Sequence, residues 1–409
     1  MNTIVIICDQ LVGLKYLDPE LVKDLEGLNK FKKRCVYFNN HHAYSNPCSA
    51  SRAVMYTGKN ANINKITDNV QSTITWQQSL GKVSDELKTL GSYLKEIEKE
   101  TRYVGKFHLL QELDPNNTIK YKTRQATQNA LVDHGFDIFN KMGDFCYDTR
   151  LAFYNDKLVT QELLPSDTIP ELCDYYDENL NECFDGAIPY MKGKIAKCEK
   201  FLLCCNYDNP HDILYTNVTT DIEDLDTPSM QINGVSNLSI PKKDIQTVAT
   251  YNANFKKYAN LKLTNEKSFV VDNMMNSHTN KDQIDIGVIL MILQKFYFYG
   301  IDYDNLEQFK EYQTAYYRCI KQIDAEFVKL YDFLEENGLF ENSIVCLTSD
   351  HGEYNCEHGL VQKAAPIYNS GTCVPLFISY PTMPTEYKGH TCEYITSHIN
   401  LLPTLLILN

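Results

Sequence analysis

Three short stretches of the sequence carry side chains that could act together at one chemical site. Asp9-Gln10 closes the apolar run Ile4-Val5-Ile6-Ile7-Cys8, and Asp350-His351-Gly352-Glu353 closes Ile344-Val345-Cys346-Leu347-Thr348. Carboxylate and amide oxygens with one imidazole form a donor set for a divalent cation. Either pair alone is more often a helix cap or a turn. Their shared place at the end of an apolar run points to a site, because ligands in open α/β sheets gather at the carboxyl ends of strands. The third stretch, Pro47-Cys48-Ser49-Ala50-Ser51-Arg52, runs on into Ala53-Val54-Met55-Tyr56-Thr57-Gly58 and reads as a loop entering a helix. Cys48 would then lie among unpaired backbone N–H groups that favour an anion, and Arg52, one turn further in, would reach the same place. In isolation the same pentapeptide is more often a buried cysteine beside a surface arginine.

The elements that must position these residues follow from hydrophobic periodicity. Short apolar runs alternate with helical patterns, which predicts an α/β domain with a mainly parallel sheet flanked by helices. Strands are expected at residues 3–8, 36–38, 103–105, 201–206, 344–348 and 375–379. A helix should follow Ser84, with Leu87, Leu90, Leu94 and Ile97 on one face. The clearest helix spans about 306–337, with Phe309, Tyr312, Tyr316, Ile320, Ile323, Phe327, Leu330 and Leu334 as its stripe and Gly338 as its cap. No Pro- or Gly-rich linker divides the chain, so a single domain over 1–409 is expected. Residues 212–305, rich in Asn, Asp, Thr and Lys, read as an insertion or lid over the sheet. The apolar helix pattern at 401–409 has no polar tail, so the sequence is expected to stop short of a natural terminus.

Composition excludes some roles. With 409 residues, 43% of them apolar and 22% charged, the chain can bury a large core. A net charge of −14 argues against coating a nucleic acid or an anionic membrane, because both need clustered Lys and Arg. An anionic substrate must therefore be held by a local positive site. No secretory leader is visible, and the apolar stretch 284–299, broken by Asp285, Gln294 and Lys295, is shorter than the ~20 residues a membrane span requires. It reads as a buried helix. The 14 cysteines are scattered, several within strand runs such as Cys204, Cys205 and Cys346, and form no C-x-x-C pair. Reduced thiols in a cytoplasmic protein, most of them small buried hydrophobes, are the expectation.

Taken together, the motifs resemble the sulfatase family of the alkaline phosphatase superfamily. The family's C-x-P-S-R followed by a helix ending in T-G stands here as Cys48-Ser49-Ala50-Ser51-Arg52 with Thr57-Gly58. In the family's order come the opening strand ending in Asp9-Gln10, then Gly105-Lys106-Phe107-His108-Leu109, Asn209-Pro210-His211-Asp212, and Ser349-Asp350-His351-Gly352-Glu353 with Glu357-His358-Gly359-Leu360 and Lys363. The likeness runs from Thr3 to Leu406 and is poor across the insertion. It implies an alkaline phosphatase-like fold and a formylglycine nucleophile made from Cys48 by a formylglycine-generating enzyme. It also implies a divalent metal, Ca2+ first and Mn2+ second, at Asp9, Gln10, Cys48, Asp350 and His351. Arg52 would stabilise the nucleophile, and Lys106 and Lys363 would hold the sulfate oxygens. His211 would assist the leaving group, and His108 would take the proton whose loss expels sulfate.

Three departures stand out. Ala50 replaces the motif proline, in a neighbourhood that the maturing enzyme reads. Gln10 and His351 are similar to the choline sulfatase and phosphonate monoester hydrolase branch. The small antiparallel C-terminal subdomain that the resemblance implies is expected to be absent or truncated. The expected function is hydrolysis of a small-molecule sulfate ester. The first alternative is a phosphonate monoester or phosphodiester hydrolase, and the second a catalytically silent binding protein that keeps the Cys48 thiol. The organic part of the substrate and the oligomeric state carry no readable pattern. Replacing Asp350 with Ala is expected to abolish metal binding and leave the fold largely intact.

Overall fold

The computed structural model describes residues 1–69, 87–97, 99–109, 131–139, 153–154, 157–158, 175–177, 182–184, 186–207, 209–211, 306–357, 360–363 and 368–409. The lid expected over 212–305, the apolar stretch 284–299, Ser84, Asp212, His358 and Gly359 lie outside the described residues.

The principal strands are β1 (Asn2–Cys8), β2 (Val36–His42), β3 (Glu100–Gly105), β4 (Ile138–Phe139), β5 (Phe201–Tyr207), β6 (Ser343–Ser349), β7 (Cys373–Ser379), β8 (Thr391–Cys392) and β9 (Thr396–Ser397). They make one sheet in the order β8-β2-β7-β6-β1-β5-β3-β4, with β9 also on β2. The block from β6 to β4 is parallel, whereas β7 runs antiparallel to both β6 and β2. The sheet is therefore mixed and mainly parallel. Each expected strand forms, and several extend beyond their apolar run. β2 continues through Asn39 and Asn40 to His42, because cross-strand pairing with β7 holds it there.

Both faces of the central strands are covered, which is why β1, β5 and β6 read as continuous apolar runs. Every residue of β5 and β6 is buried. Alternation sends Ile4, Ile6, Leu203, Cys205, Val345 and Leu347 to one face. There they meet Leu28 and Phe31 of helix α1 (Glu26–Arg34), with Ile320, Phe327, Leu330 and Leu334 of a long helix at Leu306–Glu336. Val5, Ile7, Leu202, Cys204, Ile344 and Cys346 face the other way. Against them pack α2 (Cys48–Thr57), α3 (Leu90–Glu96) and the apolar helix Leu401–Leu408.

Two helix expectations change in detail. α3 starts only after Thr89, whose hydroxyl accepts from the Ser92 backbone N–H, and it buries Leu90 and Leu94. Leu87 precedes the helix yet packs, partly buried, against the same core, whereas Ile97 is the C-terminal cap with 53% of its surface exposed and leaves that face. The long helix ends at Glu336, and Gly338 takes the left-handed conformation at φ 62° just beyond it. Among the described residues, eleven cysteines including Cys48 are free thiols, with Cys204, Cys205 and Cys346 buried in strands. No described helix is long and apolar enough to cross a membrane.

One glycine is required by the sheet itself. Gly105 ends β3 at φ 85°, and a Cβ there would stand 1.8 Å from the Asn206 carbonyl oxygen. Gly105→Ala is expected to destabilise the fold by about 3 kcal/mol or more, from the strained φ and the backbone clash together. Urea unfolding of the variant beside the parent chain measures it.

Candidate active site

Strand register builds the site. Cys8 pairs with Ser349 on one side and with Tyr207 on the other, so three parallel strands end level. The next residues, Asp9 and Asp350, therefore stand side by side, and Gly105 opposite Asn206 brings Lys106 to the same rim. Gln10 turns the chain away at φ 68°, and its backbone N–H donates to Asp350 Oδ1 at 3.1 Å. Cys48 is the first residue of α2, directly after Pro47. All of Asp9, Gln10, Cys48, Arg52, His108, Asp350 and His351 are fully enclosed.

Arg52 is the hub and is fully buried. Its Nε donates to Asp350 Oδ2 at 2.9 Å and its Nη2 to Asp9 Oδ2 at 3.2 Å. The other arm, Nη1, donates to the Lys106 carbonyl at 2.7 Å and to Asn206 Oδ1 at 3.2 Å. The guanidinium thus offsets the repulsion of two adjacent buried carboxylates, with fork geometry that a lysine would lack. The Lys106 ammonium adds a close ion pair to Asp9 Oδ2 and lies 3.7 Å from Cys48 Sγ.

His351 is oriented by its own backbone neighbour. Its Nδ1 lies 3.0 Å from the Gly352 carbonyl, which can only accept, so Nδ1 carries the proton. Nε2 then faces Cys48 Sγ at 3.0 Å. Lys363 donates to the Gln10 side-chain oxygen, and the Gln10 amide nitrogen donates to Glu353 and Gln362. His211 follows β5 through Asn209-Pro210, is buried, and lies close enough for its charge to act on Asp9.

The electrostatics follow from these contacts. Burial and the neighbouring Cys48 disfavour an ionised Asp9, but Lys106, His211 and Lys363 outweigh them and hold it well below the usual carboxylate range. Asp350 moves up, first from burial and then from the Asp9 charge beside it. Burial pulls the His351 imidazole down, yet Asp350 and Cys48 reverse the sign and leave it raised. His108 falls to about 4, chiefly from burial, against the pull of its hydrogen bond with Cys48. It is neutral near pH 7 and able to accept a proton.

Burial likewise takes His398 down to about 3. Both His108 and His398 stay neutral in the folded chain where unfolded histidines, near 6.5, take up protons. The unfolded state therefore binds more protons below about pH 6.5, and stability is lost as pH falls from there towards 4. Each group is expected to cost about 2 kcal/mol between pH 7 and pH 5. Urea unfolding at the two pH values reads the drop, and His398→Gln should make it shallower.

The residues singled out in the sequence converge on one rim, but several partners were missed. Asn206 anchors Arg52. Glu353 receives the Gln10 amide, Tyr312 Oη at 3.1 Å, and the backbone N–H groups of Asn355 and Gln362. Ser51 hydroxyl donates to the Asp350 carbonyl and meets His398 Nδ1 at 2.9 Å, tying α2 to β6. Only the position of Glu353 within its motif could have signalled a role.

A cation fits this place. Asp9, Cys48, Asp350 and His351 each offer a donor atom, and these lie within 4.8 Å of one another. The His351 Nε2 lone pair points inward because the other ring nitrogen is committed to a carbonyl, the usual support of a ligating histidine. Gln10 lies beside the group with its amide oxygen engaged by Lys363.

A buried cysteine at a helix start, facing paired carboxylates on an alkaline phosphatase-like sheet, defines the class to which this chain belongs. It is a member of the sulfatase family, whose family model, Sulfatase, matches residues 1–408. The chain is 22% identical over 375 residues to the uncharacterized sulfatase YidJ of Escherichia coli strain K12, a match covering 91% of this chain and 60% of that protein. It is 29% identical over 99 residues to the N-acetylglucosamine-6-O-sulfatase of Bacteroides thetaiotaomicron, covering 24% of this chain and 17% of the other. Among solved structures, a putative sulfatase YidJ from Bacteroides fragilis superposes with a TM-score of 0.60 at 18% identity, over 99% of this chain and 73% of that one. The phosphonate monoester hydrolase SpPMH from Silicibacter pomeroyi gives 0.54 at 17% identity, over 100% and 72%. These two likenesses show the fold.

Proposed function

We propose that this chain hydrolyses sulfate esters of small molecules with an oxygen nucleophile carried by Cys48 after conversion to formylglycine. One observation carries the reading. Cys48, fully buried, opens a helix with its Sγ 3.0 Å from His351 Nε2 and 3.7 Å from Lys106 Nζ, at the rim where three strands end. Conversion requires a formylglycine-generating enzyme as a partner. The converted residue supplies two hydroxyls on Cβ, one to attack sulfur and one whose deprotonation releases sulfate.

A divalent cation, Ca2+ first and Mn2+ second, would be held by Asp9, Gln10, Cys48, Asp350 and His351 and would supply charge that lowers the nucleophile's pKa and polarises the ester. Lys106 and Lys363 hold sulfate oxygens as charge builds on them. Arg52 donates to both Asp9 and Asp350, opposing their mutual repulsion and aligning them beside the nucleophile. His211 gives a proton to the departing alkoxide, and neutral His108 takes one from the second hydroxyl of residue 48. Residues 212–305 would form the lid that selects the organic part of the ester, within one domain spanning the chain.

The donor set favours one competing reading. An imidazole from His351 and an amide from Gln10 leave two carboxylates around the cation, and tetrahedral phosphoryl and sulfuryl groups need similar clamps. A phosphonate monoester or phosphodiester would fit. We expect kcat/KM for an aryl sulfate to exceed that for an aryl phosphonate monoester by at least about tenfold, or ~1.4 kcal/mol in the barrier. Steady-state assays of both esters on one preparation decide it, and a higher value on the phosphonate would replace the sulfate reading.

A further inference from the structure

We propose that the chain with Cys48 unconverted holds a thiophilic divalent cation, Zn2+, on Asp9, Cys48, Asp350 and His351, so that conversion of Cys48 changes which metal the site selects. The proposal deepens the functional reading by giving the unconverted chain its own metal, but zinc binding by the thiol form does not require that the converted form turn over any ester.

The donor set is the reason. Hard cations such as Ca2+ take oxygen, six or more donors at a time, whereas thiolate and imidazole together suit zinc in a four-coordinate site. The unconverted chain presents one sulfur, one nitrogen and two carboxylates, which is a zinc set in both number and kind. Conversion removes the sulfur and leaves an oxygen in its place, which moves the set towards a hard cation.

The spacing agrees. Tetrahedral coordination with zinc bond lengths of about 2.0–2.3 Å separates neighbouring donors by ~3.3–3.6 Å. His351 Nε2 lies 3.6 Å from Asp9 Oδ1 and 3.6 Å from Asp350 Oδ1. Cys48 Sγ lies 3.0 Å from His351 Nε2 and 4.0 Å from Asp9 Oδ1. These four separations bracket the required value, and all four donors lie within 4.8 Å of one another. Their outer contacts are also in place: His351 is fixed through the Gly352 carbonyl, Asp9 and Asp350 are gripped by Arg52, and Lys106 lies near the sulfur. Binding replaces the thiol proton with the cation, forming a Zn–S bond and releasing one proton to solvent.

The test uses full-length chain shown by mass spectrometry to be wholly unconverted, stripped of metal, and titrated separately with Zn2+, Co2+ and Ca2+. Cobalt serves as a coloured stand-in for zinc. We expect one equivalent of Co2+ to give a thiolate-to-cobalt charge-transfer band, and Zn2+ to abolish it by displacement. Calorimetry should show Zn2+ binding at least about 100-fold more tightly than Ca2+, and Cys48→Ser should lose the band and weaken zinc by on the order of 100-fold. The Ser variant is nearly isosteric, and its thermal melt, compared with the parent, confirms folding before the comparison is made. A bound cobalt with no charge-transfer band, or equal zinc affinity in the Ser variant, overturns the proposal. Neither result would touch the sulfate reading, which is decided separately by turnover of the converted protein.

Discussion

Cys48→Ala is expected to lower sulfate-ester turnover by on the order of 10⁵-fold or more, the scale seen when a covalent nucleophile is removed and the rest of the site remains. The size of the loss follows from the mechanism. Ala offers no oxygen to attack sulfur and none to release it, so only binding and electrostatic stabilisation survive. The fold should tolerate the change. Cys48 Sγ is a small buried group beside His351, Lys106, His108 and Asp9, and α2 is held by Arg52 and Ser51 further along. Single-turnover assays on parent and variant, with circular dichroism to confirm equal folding, measure the effect. A variant within tenfold of the parent would remove Cys48 from the chemistry.

Removing Asp350 should act on metal binding and on stability together, which revises the expectation that the fold would be largely indifferent. Asp350 receives Arg52 Nε at 2.9 Å and the backbone N–H groups of Gln10 and His351 at 3.1 and 2.9 Å. Asp350→Ala deprives a fully buried guanidinium of one of its two carboxylates and orphans two N–H groups. The expected cost is about 3–5 kcal/mol, as for other buried ion pairs broken from one side. Asp350→Asn keeps the shape and one acceptor oxygen, so it should fold better than the Ala variant while its metal affinity falls by on the order of 100-fold. Urea unfolding and the metal content of dialysed protein separate the two effects. Stoichiometric metal retained by the Asn variant would remove Asp350 from the cation site.

The sequence made the strand-end residues visible for a physical reason. A central parallel strand is apolar throughout, so the first polar residue after it, Asp9 or Asp350, marks the rim of the sheet. Helix α2 was legible from Cys48 to Gly58 because Pro47 starts it and a left-handed glycine stops it. What could not be read was pairing across long separations. Arg52 could be placed near the Cys48 anion site, but not its partners: register brings Asp9, Asn206 and Asp350 around it from three strands. The partner of Glu353 and the whole role of His398 were hidden for the same reason: Gln10 and Ser51 lie 343 and 347 residues away from them. The antiparallel direction of β7 was also hidden, because a short buried run looks alike in either direction. Ile97 was misjudged because helical spacing alone does not show where a helix stops.

The claim on which most of this account rests is that Cys48 becomes formylglycine in active protein. Ala50 is fully buried in the first turn of α2, where the family motif has proline, so partial conversion that varies with the expression host is expected. The direct measurement is mass spectrometry of the peptide containing Cys48 after trapping with a hydrazide probe, on preparations whose sulfate-ester turnover is measured in parallel. The account predicts an aldehyde at residue 48 whose fraction rises and falls in proportion to activity across hosts. Protein that turns over sulfate esters at full rate with residue 48 wholly a thiol would contradict it.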